Sequence, residues 1–94
     1  MEIIVETFRN PGEPSSRPVR VRPIAGQFRG NYRVWCSVAM REAKPIGSLF
    51  RVQVSLVNQP QGEAYLRIGL HDPWIPVTED AAKQFVIDQF GQVK

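Results

Sequence analysis

From Tyr32 to Arg41 the chain alternates without a break: Tyr32, Val34, Cys36, Val38 and Met40 fall on one side, and Arg33, Trp35, Ser37, Ala39 and Arg41 on the other. Side chains of a strand point to opposite faces with a period of two, so this run predicts an extended segment with one apolar face. A one-residue slip would exchange the two faces, and a run this long is the best protected against it. Phe50, Val52, Val54 and Leu56 repeat the pattern against Arg51, Gln53 and Ser55, with Pro45 and Gly47 between the two runs. That arrangement predicts a hairpin of a third and a fourth strand.

Around this pair the remaining elements follow from local signals. Ile3 to Phe8 reads as strand one, with Ile3, Val5 and Thr7 on one side and Ile4, Glu6 and Phe8 on the other, apolar enough to be buried on both faces. Val19 to Arg22 is a short strand between Pro18 and Pro23, and prolines confine it to a sheet edge. Ala64 to Leu70 is strand five, with Leu66, Ile68 and Leu70 inward. Pro11, Gly12, Pro14, Ser15, Ser16 and Pro18 make the stretch from Asn10 to Pro18 a mobile surface loop, and Gly26 to Asn31 and Asn58 to Gly62 are further loops. His71 to Val77 holds Pro73 and Pro76, so it is a stiff crossing segment, neither helix interior nor central strand.

A helix is then signalled from both ends. Thr78 is a good N-cap, Glu79 and Asp80 place negative charge at the positive end of the helix dipole, and Gly91 is a C-terminal stop. Between them Ala82, Phe85, Val86 and Phe90 recur on one stripe. The expected fold is α+β: a mainly antiparallel sheet of about five strands, open or curled, with one C-terminal helix packed on one face. At 94 residues the chain builds one hydrophobic core, so residues 1–94 are read as a single small domain.

Several functional classes drop out at this stage. No apolar run reaches the roughly 18 to 20 residues of a membrane-spanning helix, and Met1 to Val5 lacks the features of a secretion signal, which points to a cytoplasmic protein with no membrane partner. Cys36 is the only cysteine, so no internal disulfide forms. One histidine, one cysteine and nine scattered acids give no ligand pair at metal-binding spacing, and no cofactor is implied. His71 and Asp72 suggest a general-base pair, but sequence neighbours rarely orient one another, and no serine or cysteine stands in a nucleophile motif. Cys36 lies on an apolar face, where a thiol behaves as a small hydrophobe. The chain is therefore read as non-catalytic.

Charge is more informative than its total of +3. Between Arg17 and Arg51 eight cations stand against Glu42 alone, and across the chain arginines outnumber lysines nine to three. Arginine is the cation suited to bidentate contacts and to stacking on rings. With the registers above, Arg20, Arg22, Arg33, Trp35, Arg41, Arg51, Gln53, Tyr65 and Arg67 gather on the outward face of the sheet. Such a face suits single-stranded nucleic acid, whose bases stack and whose phosphates take cations. It is also what any solvent-facing antiparallel sheet displays, and Trp, Tyr and Arg are equally the residues of protein interface hot spots. Trp74, near His71 in the crossing segment, either lines a pocket mouth or, as large aromatics more often do, plugs the core edge.

Three functions stay open, in this order: an interaction or self-assembling module, whose partner is a second copy or another protein; a nucleic-acid binder using the arginine and aromatic face; and a small-ligand binder using a cleft between sheet and helix. Self-assembly ranks first because a short chain buries proportionally little surface alone.

Overall fold

The structure is a computed structural model and describes residues 1–9, 19–28, 32–37 and 43–91. Ile3, Ile4 and Val5 are all fully buried, as a strand apolar on both faces requires, and the strand they form, β1 (Glu2–Arg9), lies between two others. β2 (Val19–Pro23) pairs antiparallel with it from Arg9↔Val19 to Val5↔Pro23. The paired register stops at Pro23, and just beyond it the Ile24 N–H still donates to the Ile4 carbonyl at 3.1 Å. On the other edge β4 (Leu49–Val57) runs antiparallel from Glu2↔Gln53 to Glu6↔Leu49.

β4 is the hub, because it pairs with three strands, one on one edge and two on the other. Opposite β1 it pairs with β5 (Tyr65–Ile68) over Val54–Val57 and with the short β6 (Ile75–Val77) over Leu49–Arg51. β3 (Val34–Trp35) pairs with β5 in parallel, at Val34↔Leu66 and Trp35↔Arg67. The order is β2-β1-β4-β5-β3, and β3 comes back beside β2, so the six strands make a nearly closed, mixed sheet. With a C-terminal helix, this is the expected α+β fold with its sheet curled.

Four expectations are corrected. Among the described residues no hairpin joins β3 to β4: β4 is flanked by β1 on one edge and by β5 and β6 on the other, and β3 takes the outer edge of β5 instead. The long third strand forms a ladder only at Val34–Trp35, while Cys36 and Ser37 continue without one; its remainder, Val38 to Arg41, lies outside the described residues. The crossing segment contributes a sixth strand, since Pro76 costs nothing where one edge of β6 is unpaired. Leu70 is not inward but 55% exposed. The β5 ladder stops at Ile68, where the Gly69 N–H donates to Asp72 Oδ2 (3.1 Å) and the Asp72 N–H donates to the Gly69 carbonyl (3.2 Å), leaving Leu70 on the tip of a turn. A Cβ at position 69 would sit 2.5 Å from that carboxylate oxygen, so a side chain there would have to displace the Asp72 carboxylate from the turn. The loop expected over Asn10 to Pro18 also lies outside the described residues.

The core joins Ile3, Val5, Val21, Cys36, Phe50, Val52, Val54, Leu66, Ile68 and Trp74. Each fully buried aliphatic side chain contributes about 1.5–3 kcal/mol. Phe28, Tyr32, Val34 and Phe90 close around this cluster, with Phe28 edge-on to both Tyr32 (5.3 Å) and Phe90 (6.1 Å). Phe90 brings the end of the helix Glu79–Phe90 to the core. Of its stripe Ala82 is buried, whereas Phe85, Val86 and Phe90 are half-buried, so the helix leans on the sheet instead of being sunk into it.

Thr78 caps this helix: its Oγ1 accepts from the Ala81 N–H at 3.1 Å. Gly91 ends it at φ 76°, its N–H donating to the Ile87 carbonyl. Thr78→Ala should therefore lower stability by about 1 kcal/mol, a fall in Tm of roughly 4–8 °C that differential scanning calorimetry would register.

Candidate functional site

Residues opposite one another in a ladder project to the same side, so the registers locate the basic residues directly. Arg22 faces Glu6, Arg20 faces Phe8, Gln53 faces Glu2, and Tyr65, Arg67 and Trp35 are aligned with Val57, Ser55 and Arg67 in turn. Arg20, Arg22, Arg51, Gln53, Tyr65, Arg67 and Trp35 thus share the outer side of the sheet, with Arg33 two residues before Trp35. Arg41 lies outside the described residues.

The face is not uniformly basic. β1 contributes Glu2 and Glu6 to the same side. Arg22 Nε donates to Glu6 Oε1 at 2.6 Å, and its guanidinium lies 4.2 Å from the centre of the Phe8 ring. Arg51 Nε is 3.2 Å from Glu2 Oε2, near enough for an ion pair although not aligned as a hydrogen bond. Arg20 is also engaged. Such exposed pairs add little stability, typically under about 1 kcal/mol each, but they cancel charge locally. Over β1, β2 and the first half of β4, Arg22 and Arg51 are thus matched by Glu6 and Glu2.

At the β3–β5 end the pattern changes. Trp35 is 47% exposed, and the Arg67 guanidinium lies 5.1 Å from its ring centre, within cation–π range. Beside it opens a groove of about 590 Å³, bounded by Arg33, Val34 and Trp35 on one side and by Gln59, Gly62, Glu63, Ala64 and Tyr65 on the other. Gly62 shapes its rim: with φ at +122° and Gln59 Oε1 only 2.9 Å from where a Cβ would lie, the turn between β4 and β5 folds closely on itself. Among the described residues neither Arg33 nor Arg67 is paired with a carboxylate, and Glu63 is not paired with a cation. The groove carries both signs, and they do not meet.

The other candidates fall elsewhere. Trp74 is 8% exposed and belongs to the core, edge-on to Phe50 at 5.6 Å, with Lys44 Nζ 5.6 Å from both ring centres. His71 is exposed, and Asp72 directs its carboxylate to the Gly69 amide. Cys36 is buried in the core. Among the described residues no three His, Cys, Asp or Glu side chains are grouped to hold a metal ion, and no helix is long and apolar enough to cross a membrane.

Two features escaped the sequence. Glu2 and Glu6 stand on one side of β1, a spacing visible in the residues, but only the pairing of β1 with both β2 and β4 sets them against Arg51 and Arg22. The groove was hidden because it depends on β3 lying beside β5. No family model, curated protein or solved structure matches the chain.

Proposed function

We propose that this protein is a non-catalytic interaction domain that engages a protein surface through the Trp35 groove. The observation that carries the reading is the half-exposed Trp35 ring, beside Arg67 at the rim of a groove lined also by Arg33 and Tyr65. A large ring half in water beside a cation, next to a concavity, has the make-up of an interface anchor, and Trp, Tyr and Arg dominate such hot spots.

Single-stranded nucleic acid is the second reading, favoured by the Trp35 and Arg67 stack, since bases stack on such rings. It ranks lower because Arg22 and Arg51 are matched by Glu6 and Glu2, and Glu63 puts a negative charge in the groove where a phosphate would run.

Panning a displayed library of random peptides against the protein, with Trp35→Ala as counter-selection, tests the first reading. Trp35 is exposed, so the variant should keep its fold, which circular dichroism would verify. Enriched peptides should combine apolar and charged side chains and lose at least tenfold in affinity for the variant, the scale of a hot-spot loss. Failure to enrich with the protein monomeric at the panning concentration, or binding indifferent to Trp35, would reject it. A labelled single-stranded oligonucleotide, titrated at two salt concentrations, is expected to bind weakly; tight binding that falls steeply with salt and needs Trp35 would put the second reading in its place.

A further inference from the structure

The charges left unmatched at the groove say what kind of surface fits it. We infer that the partner is a second copy of this chain, joined by a two-fold contact in which the Trp35 groove of each copy meets that of the other; this rests on the interaction reading above. A two-fold interface is built from one patch used twice, so the patch must complement itself. This one does. It holds a projecting ring, Trp35, beside a concavity that such a ring could enter, and it holds two cations, Arg33 and Arg67, beside an acid, Glu63. Within one chain Arg33 and Glu63 line the same groove without pairing; across a two-fold axis Arg33 of each copy faces Glu63 of the other.

The β1–β2 half of the outer face offers less to a second copy. On the β1–β2 half of the outer face Glu2 and Glu6 are already satisfied by Arg51 and Arg22, so docking there would have to break pairs before making new ones. Size is no obstacle. A standard interface takes about 800 Å² from each partner, a modest share of the 6604 Å² exposed by this chain.

Sedimentation velocity over a range of roughly 0.1 μM to 1 mM, which spans the micromolar end of the affinities of standard-sized interfaces, reads the contact. The wild type should move from monomer towards dimer as concentration rises. Trp35→Ala should weaken dimerisation by more than tenfold. Arg33→Glu and Glu63→Arg should each weaken it by about tenfold, because each sets like charges against one another, and the double variant should recover most of the loss. All three positions are on the surface, and matching melting curves would show that the folds are intact. A wild type that stays monomeric throughout, a dimer that ignores Trp35, or a charge swap without rescue would overturn the two-fold contact. Peptide binding that still depends on Trp35 in a strictly monomeric protein would leave the interaction reading standing with a different partner.

Discussion

Gln27→Leu is expected to lower stability by about 3 kcal/mol, although the residue stands outside every strand and no motif marks it. Its side chain is buried and behaves as a piece of strand. Oε1 accepts from the Ile4 N–H at 2.7 Å, while Nε2 donates to the Ile4 carbonyl at 2.7 Å and to the Ile24 carbonyl at 3.3 Å. The reason lies one position earlier in the ladder: β2 ends at Pro23, opposite Val5, and the next backbone groups of β1, those of Ile4, would otherwise face nothing on that edge except the Ile24 N–H. Leucine fills similar space but orphans a buried N–H, and each such group costs about 1–3 kcal/mol. A drop in Tm of roughly 10–20 °C follows for a domain of this size, and a change of under about 3 °C would show that the amide is dispensable. Gln27→Glu gives a sharper check. It keeps the acceptor for the Ile4 N–H but loses both donations, and when ionised it faces two carbonyl oxygens. Folding then disfavours the charged form and raises the folded-state pKa of the new carboxyl above the unfolded value of about 4.3. Its contribution to stability is present below that unfolded value and is lost as pH rises through the folded one. The variant should lie closer to the wild type at pH 4 than at pH 7.

Gln27 also marks where sequence reading stops. The periodicity of β4 and the caps at Thr78 and Gly91 were legible because each is set by residues within a few positions of one another. So was the side on which Arg20, Arg51 and Arg67 project, since alternation fixes a face whatever the partner strand is. Alternation does not say which strand pairs with which: Val34 and Trp35 would alternate in the same way beside β4 or beside β5. That choice depended on β4 having both edges occupied, a fact distributed over β1, β5 and β6. The groove beside Trp35 inherits the same ignorance, for it exists only because the parallel pairing brings Arg33 near the turn that carries Glu63. A buried glutamine completing a ladder is harder still, because nothing local to residue 27 distinguishes it from a polar loop residue.

Thr7→Val should cost about 2 kcal/mol, and the loss should be felt first at one place. Thr7 is buried on the core side of β1, where valine would match its shape. Its hydroxyl donates to the Pro45 carbonyl at 2.6 Å and accepts from the Ser48 N–H at 3.1 Å. The backbone repeats the tie, with the Thr7 N–H donating to the Ser48 carbonyl and the Gly47 N–H donating to the Thr7 carbonyl. Gly47 makes this possible through its φ of +83°, with open space where a side chain would lie. Removing the hydroxyl leaves a carbonyl and an amide in part-buried positions without their side-chain partner, which sets the magnitude, while the two backbone bonds persist. Thr7→Ser keeps the hydroxyl and removes one methyl, so its cost should be about 1 kcal/mol. Valine more harmful than serine is the ordering that implicates hydrogen bonding, and the reverse would assign the site to packing alone. Because Lys44, Pro45 and Ser48 lead directly into β4, hydrogen exchange in the valine variant should accelerate at the Gly47 and Ser48 amides beyond the global change. Exchange at Val52 and Val54, deeper in the hub strand, should follow only the global loss, since their ladders to β1 and β5 are untouched.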